Sequence, residues 1–307
     1  MPRLLNPSQT AASLPYPLLA QEISDLLLDD EVQVPPRLVQ ALPGGGSLFV
    51  MPAFDARVAI TKLISFTPAN AGSGRPTIQG DVVVFDVVSG SRVLLLDGPT
   101  VTARRTAAVS VLAAQRLAPQ CSGPLLIVGA GAQGRSHLEA FTQCLGVREV
   151  LIASGRSESA QALVDHAKTL GLNARTVTDA NSAMSDCPLV VTCTPANGVV
   201  LQAQPRSDAF IAAVGSFTPK MVELSPALCQ HIARYGSVVV DTSEARHEAG
   251  DLIQAGLDVV DFDTLKQVLG RPLSASKPGP VLFKSCGWAG WDLAAARTSL
   301  KHCGTDL

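Results

Sequence analysis

The stretch LLIVGAGAQGRSH, residues 125–137, decides how the chain is to be read. Four apolar residues lead directly into Gly129, Gly131 and Gly134, and the residues that follow are rich in Ala, Leu and Glu, which favour a helix. A lone G-x-G-x-x-G is a weak signal. Placed between a strand and a helix, it gains a physical meaning for each glycine. Gly129 permits the tight turn, Gly131 lets the backbone approach a pyrophosphate, and Gly134 allows the helix to close on the strand. The first helical turn, beginning at Ala132 and Gln133, then presents unsatisfied N–H groups and a positive dipole end to an anion. The spacing predicts a dinucleotide phosphate cradle.

Which dinucleotide follows from the end of the next strand. An NAD site ordinarily places Asp or Glu there, to accept hydrogen bonds from the ribose 2′-hydroxyl. This chain has Ser154-Gly155-Arg156-Ser157 instead. An arginine between two serines suits a 2′-phosphate, and Glu158 reads as an acid in the first turn of the following helix. The pattern favours NADPH, with NADH possible; the alternative is that Arg156 is a solvated surface residue.

Outward from the glycine loop, strand and helix alternate from Pro119 onward. PLLIV, EVLIAS, LVVTCT, FIAAVGS and VVVDT are continuous apolar runs with helical segments between them from Gly131 and Ser159, which predicts a parallel, doubly wound α/β sheet of the Rossmann type. The region from Gly44 to Leu96 has a different grain. SLFVMPAF, RVAITKLISF, GDVVVFDVV and SRVLLLD are β-branched or alternating runs broken by Gly, Pro and Asp, and predict four successive antiparallel strands. Before them, residues 1–36 read as a short strand, a helix over 16–28 and a Pro-rich turn. After them, residues 100–117 read as a long Ala-rich helix capped by Thr100 or Thr102. The tail GWAGWDLAAARTSLKH is a further amphipathic helix that returns to the first domain.

Composition narrows the function classes. A chain of 307 residues with 47% apolar and 16% charged residues is an ordinary globular enzyme in size and content. Its net charge of −2, without runs of one sign, offers no surface for nucleic acid or an anionic membrane. No stretch approaches the roughly 18 apolar residues that a membrane helix needs. The seven cysteines form no CxxC pair or zinc-like ladder, so no metal is expected, and reduced thiols point to the cytoplasm. The five histidines lack a ligand spacing and read as surface residues, although His137 lies near the phosphate loop. Asp241 reads as a turn cap, and Trp288 and Trp291 as core.

Three cations stand out before the glycine loop. Arg37 follows Pro35-Pro36. Lys62 interrupts the apolar strand AITKLIS, so it is either an inward functional lysine or the outward face of an edge strand. Arg105 opens a helix whose remainder is almost all Ala, Val and Leu. A buried cation needs an anionic partner, and a substrate carboxylate would serve.

These stretches taken together resemble the ornithine cyclodeaminase/mu-crystallin family along nearly the whole chain. The resemblance rests on PPR at 35–37, TKLISFTPAN at 61–70, DGPTVTARRTAA at 97–108, VGAGAQGRSH at 128–137, TCTPA at 192–196, VGSFTPKMVEL at 214–224 and KSCGWAGWDLAAA at 284–296. It implies a discontinuous substrate-binding and dimerisation domain, residues 1–118 and 285–307, around a Rossmann domain of residues 119–284, and a homodimer. Carried over by position, Arg37, Lys62 and Arg105 match the substrate-binding cations, with Lys62 also the catalytic residue. Thr192, Thr194, Val214 and Gly215 match turns beside the cofactor. The cyclodeaminases carry an acid after the V-G, where this chain has Phe217 flanked by Ser216 and Thr218. Loss of that acid argues against ammonia-eliminating cyclisation and for reduction of a small cyclic imino acid, with Ser216 and Thr218 near the substrate. Reductive amination of a 2-oxo acid, and NADPH binding without catalysis, are the competing readings.

Overall fold

The computed structural model describes residues 2–70, 73–271 and 278–304. The chain forms two compact units, Met1–Thr106 with Trp288–Leu307, and Ala107–Gly287.

In the first unit β1 (Arg3–Leu4), α1 (Pro7–Ala12) and α2 (Tyr16–Leu27) precede β2 (Leu38–Ala41), β3 (Ser47–Phe54), β4 (Val58–Phe66), β5 (Ile78–Asp86) and β6 (Arg92–Asp97). The strands form one sheet in the order β1-β6-β5-β4-β3-β2. The four runs read from sequence are β3 to β6, and they pair antiparallel. The sheet has two further members: β1 joins β6 in parallel and β2 closes the other edge. Helix α1 was not read from sequence. It carries its own start signal, a capping box in which Asn6 and Gln9 satisfy each other's backbone N–H groups. The C-terminal helix, Ala289–His302, packs on α2 and on the sheet, so its Ala-, Leu- and Trp-rich residues are buried nearly all round.

Helix α3 (Gly98–Leu117) runs from the first unit into the second. It opens two residues earlier than its composition suggests, and its cap is Asp97 rather than Thr100 or Thr102. The Asp97 carboxylate accepts from both the N–H and the hydroxyl of Thr100, at 2.9 and 2.5 Å.

The second unit continues with β7 (Leu125–Val128), α4 (Ala132–Leu145), β8 (Glu149–Ala153), α5 (Ser157–Thr169), β9 (Asn173–Thr176), α6 (Ala180–Ala183), β10 (Leu189–Thr192) and β11 (Asn197–Leu201). Then come β12 (Phe210–Ala213), β13 (Val222–Leu224), α7 (Pro226–Tyr235), β14 (Ser237–Val240), α8 (Gly250–Gln254), β15 (Asp263–Thr264), α9 (Leu265–Leu269) and β16 (Val281–Lys284). Eight strands form an all-parallel sheet in the order β15-β14-β16-β12-β10-β7-β8-β9, while β11 and β13 pair separately. The apolar runs read from sequence are β7, β8, β10, β12 and β14; β16, inserted between β14 and β12, was not read as a strand, and β7, β10, β12 and β16 are buried along their whole length. Chain order reverses between β7 and β10, which makes the carboxyl ends of those two strands the switch point where such sheets bind ligands.

One histidine departs from its expected place at the surface. His137 on α4 is fully buried, with Nδ1–H donating to the Gln133 carbonyl at 2.8 Å and Nε2 accepting from the Ser110 hydroxyl at 2.9 Å. Burial holds its pKa down at about 4, so it is a neutral packing residue.

Candidate active site

In the second unit the three glycines of the loop have three different reasons to be glycine. Gly129 has φ +116°, and a Cβ there would stand 2.6 Å from the Cys193 carbonyl oxygen. A Cβ on Gly134 would stand 2.1 Å from the Gly129 carbonyl oxygen. Gly131 has an ordinary φ of −89°, is exposed, and would meet no atom within 4 Å. Nothing in the protein requires glycine at 131, so the space its missing side chain leaves is space for a ligand. Helix α4 begins immediately after it with no side-chain cap and no acid in its first turn, leaving its N-terminal N–H groups for an anion. The residues present therefore fit a dinucleotide's pyrophosphate.

At the end of β8, Arg156 and Ser157 are exposed and Ser154 is half-buried. Ser154 Oγ accepts from the Arg156 N–H at 3.3 Å, which shapes the turn, and Glu158 lies in the first turn of α5. The turn after β10 is tied to the glycine loop by Cys193, whose thiol donates to the Gly129 carbonyl at 3.2 Å. Burial raises that thiol's pKa well above its usual value, so it acts as a packing and hydrogen-bonding group.

The later turns are arranged differently from the expectation. Ser216, read as a hydroxyl near the substrate, is fully buried and faces inward. Its Oγ donates to Asp251 and accepts from Lys284 Nζ at 2.7 Å, so both capacities are committed within the fold. Thr192 is likewise buried, and its hydroxyl is engaged by Glu223 at 3.0 Å, so no side-chain contact with a cofactor is available to it. Thr194, Val214, Gly215 and Thr218 are half-buried, and Phe217 is 39% exposed. Asp241 is the turn cap it was read to be. One of its oxygens accepts from Ser285 Oγ and from the N–H groups of Cys286 and Gly287.

In the first unit Lys62 points inward from β4. Residues of β4 alternate, and Val58, Ile60, Lys62 and Ile64 share the buried face. The edge-strand alternative fails because β2 and β3 lie beyond β4. Lys62 Nζ lies 2.8 Å from Asp292 Oδ2, and Arg105 Nε lies 3.5 Å from Asp292 Oδ1. All three side chains are almost wholly buried. Arg37, half-buried just before β2, is close enough to act on Lys62 electrostatically. Burial is the main reason that the lysine's pKa falls to about 8. Asp292 opposes the fall, and Arg105 and Arg37 add to it. The fold therefore brings together the three cations singled out in the sequence, and adds an anion that was not. Asp292 sits in the first turn of the C-terminal helix, where the helix dipole favours a carboxylate. Its signal was an acid in the otherwise apolar run GWAGWDLAAA.

One carboxylate for two buried cations leaves an excess positive charge. A buried cation without a full counter-charge is costly, and a substrate carboxylate would complete the set. The neighbouring Arg104 has another use: it stacks over the Tyr16 ring and donates to the Leu14 carbonyl.

Residues 19–301 match the family model described as the ornithine cyclodeaminase/mu-crystallin family. The chain belongs to this family. It is 37% identical to Delta(1)-pyrroline-2-carboxylate reductase 1 of Burkholderia multivorans, over 95% of this chain and 93% of that one. It is 36% identical to the Delta(1)-pyrroline-2-carboxylate/Delta(1)-piperideine-2-carboxylate reductase of Azospirillum brasilense, with the same coverage. Its fold matches that of the Delta(1)-pyrroline-2-carboxylate reductase of Thermococcus litoralis, solved with NADH and L-proline, with a TM-score of 0.82 at 24% identity over 98% of this chain and 94% of that one.

The different reasons for the glycines separate binding from folding. Gly131→Ala should leave the melting temperature nearly unchanged and weaken binding of a nicotinamide dinucleotide roughly tenfold, about 1.4 kcal/mol. Gly134→Ala should lower the melting temperature itself, because the loop backbone must move. Thermal melts with and without the dinucleotide check both.

Proposed function

We propose that this protein reduces cyclic ketimines, Δ1-pyrroline-2-carboxylate to L-proline and Δ1-piperideine-2-carboxylate to L-pipecolate, using NADPH. The observation that carries the reading is the buried excess of positive charge around Lys62, in a family member whose relatives bear those reductase names. We assign substrate binding to the unit that holds Arg37, Lys62 and Arg105, and cofactor binding to the unit that holds the glycine loop. Arg156, with Ser154 and Ser157, takes the 2′-phosphate.

The chemistry follows from charge and position. Arg37 and Arg105 bind the substrate carboxylate by charge-assisted hydrogen bonds, which orients the adjacent C=N carbon. When bound, the dihydronicotinamide supplies the hydride. Lys62, kept cationic at neutral pH by Asp292, donates its proton to the imine nitrogen, which takes up the C=N electron pair as the carbon is reduced, leaving the lysine neutral. Phe217 at the turn after β12 supplies no carboxylate to act on a substrate amine, which disfavours ammonia elimination.

Incubation with NADPH and Δ1-pyrroline-2-carboxylate alone should oxidise the cofactor, seen as loss of its near-ultraviolet absorbance. Turnover only with a 2-oxo acid plus ammonia or methylamine would make the protein an amino-acid dehydrogenase. Tight NADPH binding with no oxidation in either assay would make it a binding protein. NADPH should outperform NADH, and Arg156→Ala should shrink that preference by about tenfold or more, the worth of a charged hydrogen bond.

Lys62 gives the reaction an alkaline limit. Its charge is present below about pH 8 and is lost above it, so kcat/KM should fall as the pH rises through that value. Lys62→Met should lower kcat by about 10²- to 10⁴-fold and abolish this limb. An unchanged limb in the variant would move the proton to another group. Unfolding does not mimic the effect. The unfolded lysine titrates at its ordinary 10.5, so between about 8 and 10.5 the unfolded chain binds more protons, and this group's contribution to stability rises with pH.

We further propose that the protein is a homodimer formed through the first unit's sheet. Leu38, Val50 and Leu63 stand side by side across β2, β3 and β4, and Leu38 and Leu63 are exposed, forming an apolar stripe. Light scattering should give about twice the chain's 31.9 kDa, and Leu63→Glu should halve that mass.

A further inference from the structure

Glu223 on β13 belongs to none of the roles assigned above, yet its carboxylate is fully engaged beside the later turns. It is fully buried, and each of its oxygens takes two hydrogen bonds. Oε1 accepts from the N–H and the hydroxyl of Thr194 at 2.7 and 2.8 Å. Oε2 accepts from the Gly215 N–H at 2.7 Å and from the Thr192 hydroxyl at 3.0 Å. The donors come from two different turns, one after β10 and one after β12. Gly215 is glycine because the carboxylate passes there: a Cβ would stand 2.5 Å from Oε1 and 2.4 Å from the Thr194 carbonyl oxygen.

A second carboxylate holds the first in place. Asp251 Oδ1 accepts from the N–H groups of Glu223 and Leu224, at 2.6 and 2.9 Å. Its other oxygen takes the Ser216 hydroxyl and lies 3.2 Å from Lys284 Nζ, which also donates to the Ser216 carbonyl at 2.6 Å. The arrangement also holds strain. Ala196, at the end of the first turn, has φ +55°, the only positive φ at a non-glycine residue among the described residues. Thr194 Oγ1, while donating to Glu223, accepts from the Ala196 N–H at 3.1 Å. A sparsely populated backbone conformation persists only when its surroundings impose it, and such positions cluster at functional sites.

The place of these turns gives the arrangement its use. In such sheets the glycine loop after β7 would take a dinucleotide's pyrophosphate and the side of β8 and β9 its adenosine half. The residues at the carboxyl ends of β10 and β12 would then hold the other mononucleotide. Those ends are the two turns that Glu223 joins.

We propose that Glu223 is a positioning residue for the nicotinamide half of the cofactor: by accepting from both turns it fixes them as one surface against which the reacting ring is set. The proposal rests on the reading of the second unit as a nicotinamide-dinucleotide site.

Glu223→Gln tests it with almost no change of shape. A carboxamide has one acceptor oxygen and one NH2 donor, so the turn that faces the NH2 loses its anchor. The variant, folded by circular dichroism and gel filtration, should bind NADPH roughly tenfold more weakly in a fluorescence titration without substrate. At saturating cofactor its kcat should fall by about tenfold or more, with KM for the cyclic imine unchanged. The deuterium isotope effect from cofactor labelled at C4 should rise, because hydride transfer becomes slower relative to the other steps. Thr192→Val, which removes one donor and adds none, should show the same pattern at smaller size, and it decides the matter if Glu223→Gln does not fold. Wild-type NADPH affinity, kcat and isotope effect in the variant, with or without a lower melting temperature, would overturn the proposal while leaving imine reduction intact. Weakened NADPH binding by the variant of a protein whose wild type oxidises no NADPH would uphold Glu223 and overturn the reductase. A wild type that binds no nicotinamide dinucleotide would overturn both.

Discussion

Two buried cations share one carboxylate in the first unit, and much of that unit's construction follows from this. Lys62 is surrounded by the apolar face of β4, and Arg105 lies in a helix whose later part is mostly Ala, Val and Leu. Neither could stay charged there alone, since an uncompensated buried charge costs several kcal/mol. Their counter-ion comes from the far end of the chain, which is a physical reason for the last helix to return to the first unit. The same helix is held a second time through Arg297, whose guanidinium reaches Asp29, Asp55 and Glu22. That second cluster, which Lys301 joins through Glu22, has carboxylates in excess, whereas the first has cations in excess. Only an excess of cations calls for a further anion, and that is what sets the first cluster apart as a candidate site.

The second unit uses its buried carboxylates in another way. A parallel sheet ends each strand in a turn whose N–H groups find no partner in the ladder. Here Asp241 collects them after β14 and β16 and Glu223 after β10 and β12, while Asp251 takes the N–H groups of Glu223 and Leu224 on β13. Because these acids accept from N–H and O–H donors on several turns, they make the carboxyl edge of the sheet rigid, and Lys284 pairs with Asp251. A rigid edge is what hydride transfer requires, because the reacting carbons must be held within a narrow range of distance and angle. The glycine loop next to it is built on the opposite principle, with a gap at Gly131 and uncapped N–H groups that invite an anion.

How much of this was legible in the sequence depended on whether the signal was local. The glycine loop was legible, because strand, turn and helix each declare themselves within a dozen residues. Lys62 was half-legible. Its alternation with apolar neighbours was plain, but which face of the strand is the buried one depended on Asp292, at the far end of the sequence, which supplies its partner. Asp292 and Glu223 were missed for a shared reason: an acid in an apolar run looks like a solvated or capping residue until its partners, far away in sequence, come into place. His137 was misjudged in the same way, since only the Ser110 hydroxyl on α3 reveals that its ring is satisfied inside the fold. Ser216 shows the reverse error, because a hydroxyl beside a presumed substrate turned out to be committed to Asp251 and Lys284.

The turn after β12 shows how one residue can redirect chemistry on a fixed frame. Ser216 faces inward and is locked, so the next side chain is driven outward, and here it is the phenyl ring of Phe217. The resemblance puts an aspartate at that place in the cyclodeaminases, where it acts on a substrate amine. An aromatic side chain neither accepts a proton nor balances an ammonium charge, so a substrate bearing a free amine would meet an apolar surface and pay its desolvation without return. A cyclic imine makes no such demand. Its nitrogen is already bonded within the ring, its charge is transient, and its carboxylate is the one group that needs a strong partner. In the first unit the cations are in excess for a carboxylate, and in the second an apolar ring stands in place of an acid; on the proposed function, each by itself favours a substrate with an anionic end and a C=N bond in place of a free amine.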